Sequence, residues 1–108
     1  MFARILEFGV KPEKKAEFIK ILDNQVLPIL KKQPGFLEIL PFFPEKVGET
    51  VALNISVWAT KADAERYQKE TYPKVFEILK PFSTTPVTIR VFALETTLCK
   101  NFVEAFAV

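Results

Sequence analysis

From Glu49 to Trp58 the sequence alternates without a break: Val51, Leu53, Ile55 and Val57 occupy one phase, and Thr50, Ala52, Asn54, Ser56 and Trp58 the other. A period of two places the two sets on opposite faces of a strand and is incompatible with a helical stripe. This strand commits the chain to a sheet, and its neighbours sort by whether they share the period. Phe2 to Val10 reads as a strand. Lys11-Pro12-Glu13 then places a proline and an acid where a helix begins, and Ile19, Leu22, Val26 and Ile29/Leu30 recur at helical spacing up to Lys32. Pro28 lies inside that helix and predicts a kink or an irregular last turn, because its nitrogen carries no hydrogen. Gln33-Pro34-Gly35 ends the helix, and Phe36 to Phe43 is a second strand, joined by the loop Pro44–Gly48 to the alternating one.

Thr60 with Asp63 three residues on resembles a capping box and opens a second helix, whose buried side is Ala64, Tyr67, Val75, Ile78 and Leu79. Tyr72-Pro73 should bend or split it, since proline disfavours the helical region at the residue before it. Val87 to Thr96 supplies a fourth strand, and Leu98 to Val108 an apolar tail. The order strand, helix, strand, strand, helix, strand is the ferredoxin-like split βαβ arrangement: an α+β sandwich in which an antiparallel four-stranded sheet carries both helices on one face. The other face would lie bare in a monomer. Yet the strands place apolar groups on both faces, Phe2, Leu6 and Phe8 against Ala3 and Ile5, and Phe92 and Leu94 against Val87, Ile89 and Val91. A bare face this apolar predicts a homodimer whose sheets face each other, with the tail 97–108 docking on the partner. The 108 residues are expected to form a single domain.

Composition narrows the chemistry. There is no histidine, so His-ligated metal, Ser-His or Cys-His nucleophiles and a histidine acid or base are excluded. No metal site is expected. Fifteen Lys and Arg against thirteen Asp and Glu leave a net charge of +2, too small and too interspersed for nucleic-acid binding. No run approaches the roughly 18 to 20 apolar residues of a membrane span. One cysteine, Cys99, makes no intrachain disulfide, and the first residues carry Arg4 and Glu7 in place of an apolar signal core. A cytoplasmic location is therefore expected.

Site candidates are the polar interruptions of apolar strands. With the β-branched set of the third strand taken as the helix-packed side, Asn54, Ser56 and Trp58 point to the open face, together with Thr88, Arg90, Phe92, Glu38 and Arg4. A cavity there would be aromatic and aliphatic with a few hydrogen-bonding groups and two cations, the usual make-up of a small-molecule pocket. Arg4 and Arg90 have a plainer reading as ion-pair partners of Glu38 or Glu7, Trp58 as a core aromatic, and Tyr67 and Tyr72 as helix-packing residues whose hydroxyls reach the pocket. Asn54 is harder to explain structurally, since a mid-strand asparagine must satisfy its amide somewhere.

Gln33-Pro34-Gly35-Phe36, Leu53-Asn54-Ile55-Ser56-Val57-Trp58 and Ala59-Thr60-Lys61-Ala62-Asp63-Ala64 together resemble the antibiotic biosynthesis monooxygenase family of the dimeric α+β barrel superfamily, over roughly residues 2 to 96. The family's quinone-forming oxygenases act without a cofactor and carry an Asn and a Trp four apart on this strand, which Asn54 and Trp58 match. Ala64 stands near where those enzymes place a tyrosine, and the family's haem-degrading branch uses a histidine that this chain lacks. The resemblance implies a cofactor-independent monooxygenase for a small phenolic, quinol or polyketide-like substrate. Asn54, Trp58 and Arg90 are then its catalytic residues, and Arg4, Glu38, Ser56, Tyr67, Tyr72 and Phe92 its substrate-binding ones. The alternative is a non-catalytic homodimer of the same fold that binds a small aromatic ligand.

Overall fold

A computed structural model describes residues 1–95 and residue 98. Its elements run β1 (Phe2–Gly9), α1 (Lys15–Ile21), α2 (Leu27–Lys31), β2 (Phe36–Phe42), β3 (Val51–Trp58), α3 (Lys61–Glu70), α4 (Tyr72–Leu79) and β4 (Thr88–Ala93). The strands form one antiparallel sheet in the order β2-β3-β1-β4. This is the ferredoxin-like α+β fold expected from the order of periodicities. Cys99, the end of the fourth strand at Thr96 and all of the tail except Leu98 lie outside the described residues.

Both prolines act where the sequence places them. Pro28 has no N–H to bond and its ring would meet the carbonyl four residues back. The chain answers with a π-helical turn over Leu22–Val26, in which the Leu27 N–H reaches back five residues to the Leu22 carbonyl, and α2 starts immediately after it. Pro73 sits in the first turn of α4 and divides the second helix at Thr71, whose hydroxyl donates to Gln33 Oε1 at 2.9 Å. At the start of α3 the Asp63 N–H donates to Thr60 Oγ1 at 3.1 Å, and that hydroxyl donates to Asp63 Oδ2 at 2.8 Å. The same aspartate fills the space beside Gly35, whose φ of +79° and missing Cβ let it approach.

Residues opposite one another in an antiparallel ladder share a face, so the register sorts every strand side chain. One face carries the rows Phe36–Trp58–Phe2–Ala93 and Ile39–Ser56–Arg4–Val91, together with Pro41–Asn54–Leu6–Ile89. The helices cover this face, and Leu6, Phe8, Ala52 and Trp58 are buried there with Phe18, Leu22, Val26, Leu30, Tyr67 and Leu79. The other face carries the rows Glu38–Val57–Ala3–Phe92, Leu40–Ile55–Ile5–Arg90 and Phe42–Leu53–Glu7–Thr88.

This corrects one expectation. Asn54, Ser56, Trp58 and Arg4 do share a face, but it is the helix-covered one, and the β-branched set of β3 faces outward. The reason is packing volume. Trp58 needs the depth between sheet and helices, where it stacks on Tyr67, and Phe8 of the same face meets Phe18 edge-on at 5.7 Å. Glu38, Thr88, Arg90 and Phe92 lie on the open face as expected.

Candidate functional site

Arg4 is the residue around which the helix side of the sheet is built. It lies mid-strand in β1, flanked by Ser56 and Val91, and is 2% exposed. Its guanidinium carbon stands 4.9 Å from the Tyr67 ring centre and 4.7 Å from that of Tyr72, so the cation lies against two aromatic rings that meet edge to face. Nη2 donates to Gln68 Oε1, while Nε is buried without a partner. No ion pair reaches Arg4 among the described residues. Glu7 and Glu38, its expected partners, lie on the opposite face of the sheet. Burial lowers the Arg4 pKa, against the raising influence of Tyr67 and Tyr72. Burial in turn raises the pKa of both tyrosines, more than the nearby cation lowers it, so both hydroxyls stay protonated through the neutral range.

The aromatic column continues on either side. Trp58 stacks on Tyr67 with ring centres 4.7 Å apart and meets Phe36 edge-on at 5.6 Å, while Tyr72 leans on Phe76 at 6.1 Å. The Trp58 indole N–H donates to Ser56 Oγ at 3.0 Å, and the ring has no exposed surface. Asn54, diagonally across from Arg4, is buried with Oδ1 unpartnered. Two unsatisfied polar atoms, a donor and an acceptor, thus lie on one patch of the helix side, each costing about 1 to 3 kcal/mol when unmet.

Beside Arg4 a cleft of about 280 Å³ opens between α3 and the β1–β4 pair. Phe2, Ala64, Ile89 and Val91 make its walls almost wholly apolar, and Arg4 and Gln68 contribute polar atoms. Lys61 and Glu65 also line it and pair with each other at 3.7 Å, largely exposed. A cavity of 150 Å³ holds one benzene ring, so this volume suits a molecule of one or two rings.

The structure therefore brings together Arg4, Asn54, Ser56, Trp58, Tyr67 and Tyr72, and separates them from Arg90, Phe92 and Glu38. Arg90 lies over its own neighbour Phe92 at 5.1 Å on the open face. Glu38 stands on β2, at the opposite edge of the sheet from β4, and its Oε1 accepts the Ile39 N–H. Three strand spacings of about 4.8 Å keep it from Arg90 within one chain. Gln68, Phe2, Lys61 and Glu65 were not anticipated from sequence. The spacing of Lys61, Ala64/Glu65 and Gln68 is that of one helix face, the one local signal in the sequence that could have grouped them.

Residues 1–77 match the antibiotic biosynthesis monooxygenase family. This chain belongs to that family. No curated protein matches it in sequence. Among solved structures it is similar to a monooxygenase from Streptomyces coelicolor in complex with nanaomycin D, with TM-score 0.71 and 15% identity over 91% of this chain and 90% of that one. It is also similar to a cofactor-independent oxygenase from Streptomyces nogalater, solved as an asparagine-to-alanine variant, with TM-score 0.69 and 20% identity over 90% of this chain and 95% of that one. A protein of unknown function from Nitrosomonas europaea superposes with TM-score 0.66 and 15% identity over 91% and 92% of the two chains. At such identities these structures share the fold. No helix among the described residues is long and apolar enough to cross a membrane.

Proposed function

We propose that this member of the family is a cofactor-independent monooxygenase acting on a small phenolic, quinol or polyketide-like molecule in the cleft beside Arg4, within a homodimer joined through the open sheet faces. The observation that carries the reading is a nearly apolar, ring-sized cleft whose wall holds a buried guanidinium that no carboxylate among the described residues pairs with. An electron-rich aromatic anion reacts with O₂ without a cofactor when it is held in a water-poor site beside a group that stabilises its charge. For a phenol the reaction balances with no outside reductant: ring C–H and O–H hydrogens leave with one oxygen atom as water, the other oxygen atom becomes the second quinone carbonyl, and the ring supplies all four electrons.

In this reading Arg4, expected from the sequence among the substrate-binding residues, takes the charge-stabilising role, and Arg90 does not. Trp58, stacked on Tyr67 and tied to Ser56, positions the column that holds Arg4, while Asn54 lies buried outside the lining of the cleft. Arg90, Phe92 and Glu38 belong to the face that meets the second copy. Oxygen uptake measured against a panel of hydroquinones and anthrone-like compounds tests the activity, and no uptake above a boiled control across the panel overturns it. A second reading, a binding protein without chemistry, is favoured by one observation: Trp58 is sealed in the core and presents no surface to the cleft. Recovery of a bound quinol unchanged after aerobic incubation supports that reading over the first.

A further inference from the structure

Two charges stand at opposite edges of the open sheet face. Glu38 is on β2 and Arg90 on β4, and none of the ion pairs among the described residues engages either. Within one chain β3 and β1 lie between them, so they cannot neutralise each other. The face between them is hydrocarbon, with Val57 and Ala3 in the Glu38 row and Ile55 and Ile5 in the Arg90 row. An acid on one edge, a base on the other and an apolar middle make a surface that is complementary to itself.

Two sheets stacked face to face with aligned strands, about 10 Å apart, have two choices of two-fold axis. An axis across the strands lays β2 on β2 and β4 on β4, which sets Arg90 against its own copy's strand and leaves Glu38 without a cation. An axis along the strands lays β2 of one copy over β4 of the other and keeps every row at its own level. Glu38 then faces the row of Phe92, and Arg90 already leans that way: its guanidinium carbon lies 5.1 Å from the Phe92 ring centre, one row along β4. One Glu38 carboxylate oxygen accepts the Ile39 N–H at 2.9 Å, which holds the side chain at this edge and leaves the second oxygen to accept from a partner.

We propose that the open face meets a second copy about an axis parallel to the strands, so that Glu38 of each subunit accepts from Arg90 of the other, two equivalent ion pairs flanking an apolar middle in which Ile55 meets the partner's Ile5. The proposal rests on the homodimer reading and adds the orientation of the copies and the residues that set it. Glu7, in the outermost row with Leu53, stays at the open end of the stack. Charges at a rim select register and reject wrong pairings more than they add affinity, and these two reject the crosswise arrangement. β4 also supplies Ile89 and Val91 to the cleft from its other face, so the strand each partner holds through Arg90 is the strand that walls the proposed substrate site.

The test is a charge exchange read by sedimentation velocity over a dilution series. Glu38→Arg and Arg90→Glu, made singly, should each weaken the dimer by about tenfold, since each sets like charges together at two equivalent positions. Both substitutions in one chain should return the dissociation constant to within about threefold of the parent. Glu38→Arg with Lys69→Glu restores the same net charge from an exposed site on α3 and should recover nothing. Near-ultraviolet circular dichroism of the buried Trp58–Tyr67 stack, on the opposite face, reports whether each variant is folded. Should a reversal lose that signal, Glu38→Gln and Arg90→Gln close the same cycle, with a coupling of about threefold expected. Additive effects in the cycle, or equal recovery with Lys69→Glu, overturn the axis and leave the homodimer standing. A parent that is monomeric at tens of micromolar overturns the homodimer and this arrangement together, and assigns the face to a different partner.

Discussion

The two faces of the sheet use the same strands for opposite purposes. The open face is the more uniformly apolar in its middle rows, with Val57, Ala3, Ile55, Ile5, Leu40 and Leu53, and carries its charges at the periphery, Glu38 and Arg90 on the edge strands β2 and β4 and Glu7 towards the end of β1. The helix-covered face buries more, yet it carries a guanidinium, an amide and a hydroxyl in its middle. A fold selected for stability alone would reverse this, with the plain hydrocarbon inside and the polar groups outside. The proposed homodimer would cover the open face with something equally apolar, and the proposed site would account for the polar groups on the inner one.

Substitutions on each side should therefore fail differently. Ile55→Asp, at the centre of the open face, should have the largest effect and leave the subunit folded. A charge unpaired in an interface costs about 3 to 5 kcal/mol, roughly two to four decades in dissociation constant, and a two-fold interface presents the residue twice. Sedimentation velocity over a dilution series should show monomer for the variant where the parent is dimeric; a parent that is itself monomeric at tens of micromolar breaks the comparison. On the inner face Trp58→Ala should lower the subunit's own stability by about 3 to 5 kcal/mol in urea unfolding, through the cavity left between Phe36 and Tyr67.

Arg4→Met should behave unlike any other buried substitution. An unpaired buried cation replaced by an apolar chain of similar length is expected to leave stability unchanged or raise it by about 1 to 2 kcal/mol, while ligand binding is lost. A loss above about 2 kcal/mol would instead make Arg4 a structural residue. Tyr67 gives a pH-dependent measure of the same column. Its folded-state pKa lies above the unfolded value near 10, because burial disfavours the phenolate. The stability this contributes is intact below about pH 10 and falls as the unfolded state alone loses the proton, by up to about 1.4 kcal/mol per pH unit. Tyr67→Phe should flatten that alkaline slope in urea melts run from pH 8 to 11. The smallest effect belongs to Arg90→Met, within about 0.5 kcal/mol for the subunit, because the side chain is exposed and covers its neighbour Phe92 alone.

How much of this was legible in the sequence depends on which periodicity carried the information. The elements, the division of helix two at Pro73 and the disturbance near Pro28 follow from local chemistry, and the structure has them. That Arg4, Asn54, Ser56 and Trp58 share one face is also local, being a matter of counting by twos once β1 and β3 are paired. Which face receives the helices is not local. Alternation gives two sets of residues and no label for inside. The habit of assigning the β-branched set to the core failed here because both faces are apolar, and because a tryptophan at the end of the polar-looking set needed the deeper side. Phe8 and Leu6, larger than Ala3 and Ile5 in sum and in phase with Arg4, were the available clue. Gln68 and the cleft depend on how α3 sits over β1 and β4, which no single segment encodes.

The strand order also sets the timing of the fold. β1 is first in the chain and lies in the middle of the sheet, with β3 and β4 as its two neighbours. At about 5 to 20 residues per second of synthesis, the first strand waits several seconds for β3 and longer for β4, and both of its ladders close between segments far apart in sequence. During that wait the strand that carries Arg4 has neither edge satisfied, so the last step of assembly is also the step that completes the cleft wall, when Ile89 and Val91 arrive beside it.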